Sequence, residues 1–172
     1  GRKVLIVDLD PQGNESTGLG LGKDQRDISS YDVLLEDHDL DSAIQETLIP
    51  GLFIVPSTVD LSGAELELAV EDRRGQRLRD AFSQYKEISE LDYVLIDCPP
   101  SLGILTLNAL VAAQSVLVPL QCEFFALEGL SQLLATIDRI RSNFNPRLKI
   151  QGVVLTMFDR RNNLSEQVAE DV

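Results

Sequence analysis

The sequence is poor in cysteine and in basic side chains, and it has no long apolar run. Only Cys98 and Cys122 occur, each inside an apolar, strand-like stretch. Cysteines so few and so placed build neither a disulfide framework nor a zinc site, and they point to a reducing, cytosolic compartment. Basic residues number 15 against 28 acidic ones, a formal net charge of −13. A chain this acidic repels nucleic acid and anionic membrane as a whole, so any DNA contact has to come from a local patch. Nothing approaches the roughly 18–20 apolar residues of a membrane span, and no basic-then-apolar leader opens the chain. Also missing is a G-x-x-x-x-G-K-[ST] loop, the glycine-rich cradle with a lysine that binds nucleotide phosphates.

What is present fits one globular domain: 172 residues, 44% hydrophobic and 25% charged, enough for a real core. Short apolar runs at Val4–Val7, Leu52–Val55, Tyr93–Ile96, Val116–Val118 and Gly152–Leu155 read as buried parallel strands. Helix-period segments lie between them at Leu61–Val70, Gln76–Tyr85, Leu102–Ala113 and Leu127–Phe144, and another begins at Ser165. Strands alternating with helices predict a mostly parallel sheet covered by helices on both faces, with ligands at the carboxyl ends of the strands. The polar stretch Lys23–Ser29 reads as a surface loop, and Gly18-Leu19-Gly20-Leu21-Gly22 as a helix ending rather than a dinucleotide fingerprint.

The predicted strand ends carry the chemistry. The first runs into Asp8-Leu9-Asp10-Pro11-Gln12-Gly13-Asn14, two carboxylates on the same side of an extended chain. Pro11 stops the strand and Gly13-Asn14 permits a turn, which pins the acids at a fixed exit. The pair suits a hydrated cation or a water; it equally suits a cap on the following helix. The third run ends in Ile96-Asp97-Cys98-Pro99-Pro100-Ser101, the form of a Walker B strand whose acid holds magnesium, although an acid ending an apolar strand is, taken alone, more commonly a cap or turn residue. Pro99 and Pro100 continue neither strand nor helix, so the loop after Asp97 reads as switch-like. His38 sits in an acidic loop with no catalytic partner nearby in sequence.

Together, Val7-Asp8-Leu9-Asp10-Pro11-Gln12-Gly13-Asn14, Ile96-Asp97-Cys98-Pro99-Pro100-Ser101, Leu105-Thr106-Leu107-Asn108-Ala109-Leu110 and Ala126-Leu127-Glu128-Gly129-Leu130 resemble the ParA/Soj chromosome-partitioning ATPases of the deviant Walker, MinD-like superfamily. Val118-Pro119-Leu120-Gln121 and Leu155-Thr156-Met157-Phe158-Asp159 follow in the family's order.

The resemblance implies a P-loop NTPase-like fold lacking its first strand and P-loop, with residues 1–172 as a single nucleotide-hydrolase domain incomplete at both ends. It implies ATP and Mg2+ as cofactors. It makes Asp10 the catalytic acid that positions the attacking water and also a metal-side residue. Asp8 becomes its cofactor-binding neighbour, Asp97 the acid acting on magnesium through water, and Met157 and Phe158 nucleotide contacts.

As partners it implies a ParB-like protein, non-specific DNA held mainly by residues outside this chain, and a second copy in an ATP-bound homodimer. No membrane is expected, and the location implied is cytoplasmic and nucleoid-associated. Arg160 and Arg161 are the candidates for a local DNA contact; in so acidic a chain, solvation of a loop is the plainer account of them. Without the lysine loop, this chain by itself is expected neither to bind ATP tightly nor to hydrolyse it. Loss of the strand that carries that loop is expected to leave Val4–Val7 and its neighbours with unpaired backbone, an aggregation-prone edge or gap. A MinD-like positioning ATPase and a non-catalytic scaffold without a P-loop stay open as alternatives.

Overall fold

The computed structural model describes residues 1–68, 73–123, 126–159, 161 and 163–171. The chain divides into two compact units, Gly1–Ala112 and Ala113–Val172.

In the first unit, strands β1 (Val4–Asp8), β2 (Gln45–Glu46), β3 (Leu52–Val55) and β4 (Tyr93–Asp97) form one sheet in the order β2-β3-β1-β4. β1 is parallel to both β3 and β4, while the two-residue β2 is antiparallel to β3. The helices of this unit are α1 (Asn14–Gly18), α2 (Ser30–Leu35), α3 (Leu40–Ala43), α4 (Ala64–Leu68), α5 (Arg77–Gln84) and α6 (Ile104–Ala112). Leu5 and Val7 of β1, Val55 of β3, Leu34, Leu68, Leu78 and Leu105 make up much of one core, with Leu9 and Leu61 beside them. Each fully buried leucine contributes about 1.5–3 kcal/mol by leaving water, so the central strand is the best anchored element of the unit.

Pairing corrects one expectation. Val4–Val7 lies between two neighbours and has partners on both sides; the edges of this sheet fall at β2 and at β4, a neighbour of Val4–Val7.

Local sequence explains the element ends. Ser29 caps α2: its hydroxyl accepts from the Tyr31 N–H at 3.2 Å, while Asp32 accepts from the Ser29 N–H at 2.6 Å. Asn108 on α6 is fully buried, and its Nδ2 donates to the carbonyls of Arg74 and Ile104 at 2.8 and 2.9 Å. Its Oδ1 accepts from the Leu78 N–H at 3.3 Å, which ties α6 to the start of α5. The expected Leu61–Val70 helix is a 3-10 turn at Val59–Gly63 followed by α4, and residues 69 and 70 lie outside the described set. Lys23–Ser29 is not a plain surface loop, because Arg26 and Ser29 are buried.

In the second unit, β5 (Ser115–Gln121) pairs in parallel with β6 (Lys149–Thr156), with an irregularity between Val116 and Leu117. α7 (Ala126–Asn143) buries Ile137 and Ile140, and α8 (Asn163–Asp171) contributes Val168 to a core with Leu120 and Cys122. Arg141 closes the end of α7 by donating its Nε–H to the Leu148 carbonyl at 2.8 Å. Among the described residues no helix is long and apolar enough to cross a membrane.

Candidate functional site

β1 and β4 run side by side in register, so their last residues, Asp8 and Asp97, are direct partners at the carboxyl end of the sheet. The chain then turns: the Gly13 N–H donates to the Asp10 carbonyl at 2.9 Å, with Gly13 at φ +61, a conformation that glycine takes without strain. Gly13 leads directly into α1, whose first turn supplies Glu15. Carboxylate oxygens of Asp8, Glu15 and Asp97 all lie within 4.8 Å of one another.

Asp8 is fully buried and held from three sides. Its Oδ1 accepts from the Asp10 N–H at 3.1 Å; its Oδ2 accepts from the Ser16 N–H at 3.1 Å and the Ser16 hydroxyl at 2.6 Å. Burial pushes its pKa up, and the bonds from Ser16 and Asp10 act in the opposite direction. Asp97 is half-buried, and burial, a hydrogen bond shared with Glu15 and the nearby charges of Glu15, Asp8 and Asp10 push its pKa up to about 7. No ion pair among the described residues involves Asp8, Glu15 or Asp97, so no cation among those residues directly pairs with the crowded acids.

Asp10 stands slightly apart. Its Oδ1 accepts from the Gln12 N–H at 2.9 Å, a local turn bond, and its carbonyl accepts from the Ser57 hydroxyl at 2.6 Å. It is not one of the three acids whose oxygens converge. Pro99 is half-buried and Pro100 exposed, in a stretch without regular structure between β4 and α6. Cys98 beside them has its thiol pushed up to about 12, by burial first and by Asp97 second.

Met157 and Phe158 belong to the second unit, just past the end of β6; Met157 has φ +53 and is 81% exposed. Arg161 is exposed and clasped by Asp159, with Nε–Oδ1 at 3.1 Å and Nη2–Oδ2 at 2.9 Å, so part of its charge is already engaged. Arg160 lies outside the described residues.

Three contributors escaped the sequence reading. Glu15 and Ser16 carry no strand-end pattern, and only a helix starting at Asn14 turns them back toward β1. Ser57, past the end of β3, donates its N–H to the Ser16 hydroxyl at 3.0 Å and so joins a third strand end to the acids. An acid in the first turn of the helix that follows Asp-Pro-Gln-Gly was the available signal for Glu15.

A parallel sheet with acids converging at the ends of adjacent strands defines an α/β domain of the P-loop NTPase type. Solved structures agree: cobyrinic acid a,c-diamide synthase from Mycobacterium smegmatis, with bound ATP analog and magnesium, matches at a TM-score of 0.91 and 43% identity, over 100% of this chain and 69% of that one. The AAA domain family matches residues 1–150. The chromosome partitioning protein ParA of Caulobacter vibrioides is 59% identical over all 172 residues, which cover 64% of that protein. The sporulation initiation inhibitor protein Soj of Bacillus subtilis is 48% identical over 172 residues, which cover 67% of it. The chain belongs to this AAA domain family and, within it, to the ParA/Soj type of the MinD-like superfamily.

Proposed function

We propose that this chain is the magnesium-and-water part of an ATP hydrolase that partitions DNA. The observation that carries the proposal is the convergence of Asp8 and Asp97, at neighbouring parallel strand ends, with Glu15 from the first turn of α1, in a chain of the ParA/Soj type. Three carboxylates with no ion-pair partner among the described residues suit a hydrated divalent ion, and Mg2+ prefers a few carboxylates with several retained waters. In that role Asp97 holds the ion through water, and Asp8, fixed by Ser16 and by the Asp10 N–H, completes the metal side with Glu15. Magnesium there would neutralise charge developing on phosphate oxygens.

Phosphoryl transfer asks little covalent work of the protein, so orienting a water is the remaining task, and Asp10 is the acid we assign to it. Its backbone is fixed through Ser57 and its carboxylate through Gln12. Met157 and Phe158 are assigned to nucleotide contact, and Pro99-Pro100 to the segment that responds to the state of the nucleotide. We read both units as parts of one nucleotide-hydrolase domain.

The phosphate cradle is not among these residues, because the sequence holds no G-x-x-x-x-G-K-[ST]. Tight ATP binding therefore belongs to a longer polypeptide that includes such a loop. For that polypeptide the reading extends to an ATP-bound homodimer, non-specific DNA binding and stimulation by a ParB-like partner, in nucleoid-associated cytoplasm. Arg160 and Arg161 are assigned a minor DNA contact.

The test is Asp10→Ala in the full-length protein, followed by ATP binding, steady-state hydrolysis and DNA retention. ATP binding should persist, turnover should stop, and the protein should stay on DNA. Unchanged hydrolysis would remove Asp10 from its role.

A further inference from the structure

Arg26 is 7% exposed, yet no carboxylate among the described residues pairs with it. Its acceptors are neutral: Nη1 donates to the Ser57 carbonyl at 2.9 Å, and Nη2 donates to the Thr17 hydroxyl at 2.8 Å and to the Leu21 carbonyl at 2.9 Å. Its Nε has no hydrogen-bond partner among the described residues. A guanidinium buried this way costs free energy that an apolar side chain of similar volume would not, so stability alone does not account for it. What it supplies that an apolar group cannot is a rigid planar fork, able to hold three segments in one geometry.

Those segments border the acids. Thr17 lies on α1, Leu21 just beyond it, and Ser57 at the exit of β3. Ser57 passes the constraint on twice: its hydroxyl donates to the Asp10 carbonyl at 2.6 Å, and its N–H donates to the Ser16 hydroxyl that holds Asp8. The guanidinium also packs against the turn itself, since a Cβ on Gly13 would sit 2.4 Å from Nη1. We propose that Arg26 is a positioning residue for hydrolysis, fixing Ser57 and, through it, the Asp10 turn and the Asp8–Ser16 pair. The proposal rests on the ATPase reading above.

The test uses the full-length protein with Arg26→Met and Arg26→Lys, assayed well below the unfolding temperature. Lysine cannot reproduce the fork, so both variants should lose about tenfold or more in kcat while KM for ATP stays nearly unchanged. Hydrogen exchange should quicken at the Ser57 and Ser16 amides beyond any general change. Unchanged kcat in a folded variant, a loss confined to KM, or exchange that quickens evenly across the chain would each overturn the proposal. If the wild type shows no ATP turnover, the ATPase reading fails separately. The exchange result then decides: selective quickening at Ser16 and Ser57 supports the positioning network, and unchanged protection overturns it. Should Arg26→Met fail to fold, Thr17→Val removes one acceptor of the fork and is read by the same criteria.

Discussion

Asp97→Asn should make the folded chain more stable at pH 8 while removing a group assigned to magnesium. In the fold the Asp97 pKa is pushed up to about 7 from an ordinary 3.8, by burial first and then by Glu15, Asp8 and Asp10. The folded state therefore holds a proton that the unfolded chain has released, and the stability this gives is complete below pH 3.8 and lost as pH rises through about 7. Three pKa units correspond to a ceiling of about 4 kcal/mol at about 1.4 kcal/mol each. Asp97 is only half-buried, and solvent screening reduces that to about 1–2 kcal/mol.

Asparagine keeps the shape, removes the charge, and can donate to Glu15. At pH 8 the variant should unfold a few degrees higher, since about 1 kcal/mol moves Tm by about 2–4 °C for a chain of this size. At pH 3 the two proteins should coincide. Thermal unfolding followed by circular dichroism at a series of pH values measures both, and millimolar magnesium should narrow the gap by stabilising the wild type. A variant less stable than wild type at pH 8, or a gap independent of pH, would refute the electrostatic account of this site.

Two further outcomes follow from buried groups. The Cys98 thiol, half-buried and pushed up to about 12, has its thiolate strongly depleted at pH 8, so iodoacetamide should label it far more slowly in the folded chain than in urea; equal labelling rates, mapped by peptide mass, would contradict the raised pKa. Asn108→Ala removes three hydrogen bonds and leaves the Leu78 N–H without its side-chain acceptor, which should cost about 2–3 kcal/mol in urea unfolding; an unchanged midpoint would show that the tie between α5 and α6 is dispensable.

The strands were legible because buried parallel strands read as continuous apolar runs. Leu52–Val55 matches β3 residue for residue, and Tyr93–Ile96 falls one residue short of β4. β2 was not legible, since Gln45-Glu46 has no apolar pattern and is a strand only by pairing with Phe53 and Ile54. α2 was missed for a similar reason: its six residues are too few to establish a helical period, although the Ser29 and Asp32 cap was readable. Asp8 and Asp97 could be singled out because an acid ending an apolar run is a local pattern. Their register across β1 and β4 is a tertiary fact that no spacing in the sequence encodes.

Arg26 marks the limit of reading by composition. In sequence it lies in a polar stretch, Lys23-Asp24-Gln25-Arg26-Asp27, where solvation is the natural expectation for every side chain. In the fold it is buried, and the exit of β3 at Ser57 supplies one of its two carbonyl acceptors, the other being the nearby Leu21. The acids tell the opposite story: they sit where local sequence puts them, at the ends of strands, while the groups that orient them, Ser16, Ser57 and Arg26, come from positions with no shared pattern. Chemistry at a parallel sheet can thus be located from strand ends alone, whereas the geometry that tunes it depends on loops whose partners lie up to 47 residues away, the separation between Asp10 and Ser57. A substitution in Lys23–Ser29 that leaves every acid in place can therefore still displace the turn on which Asp10 sits.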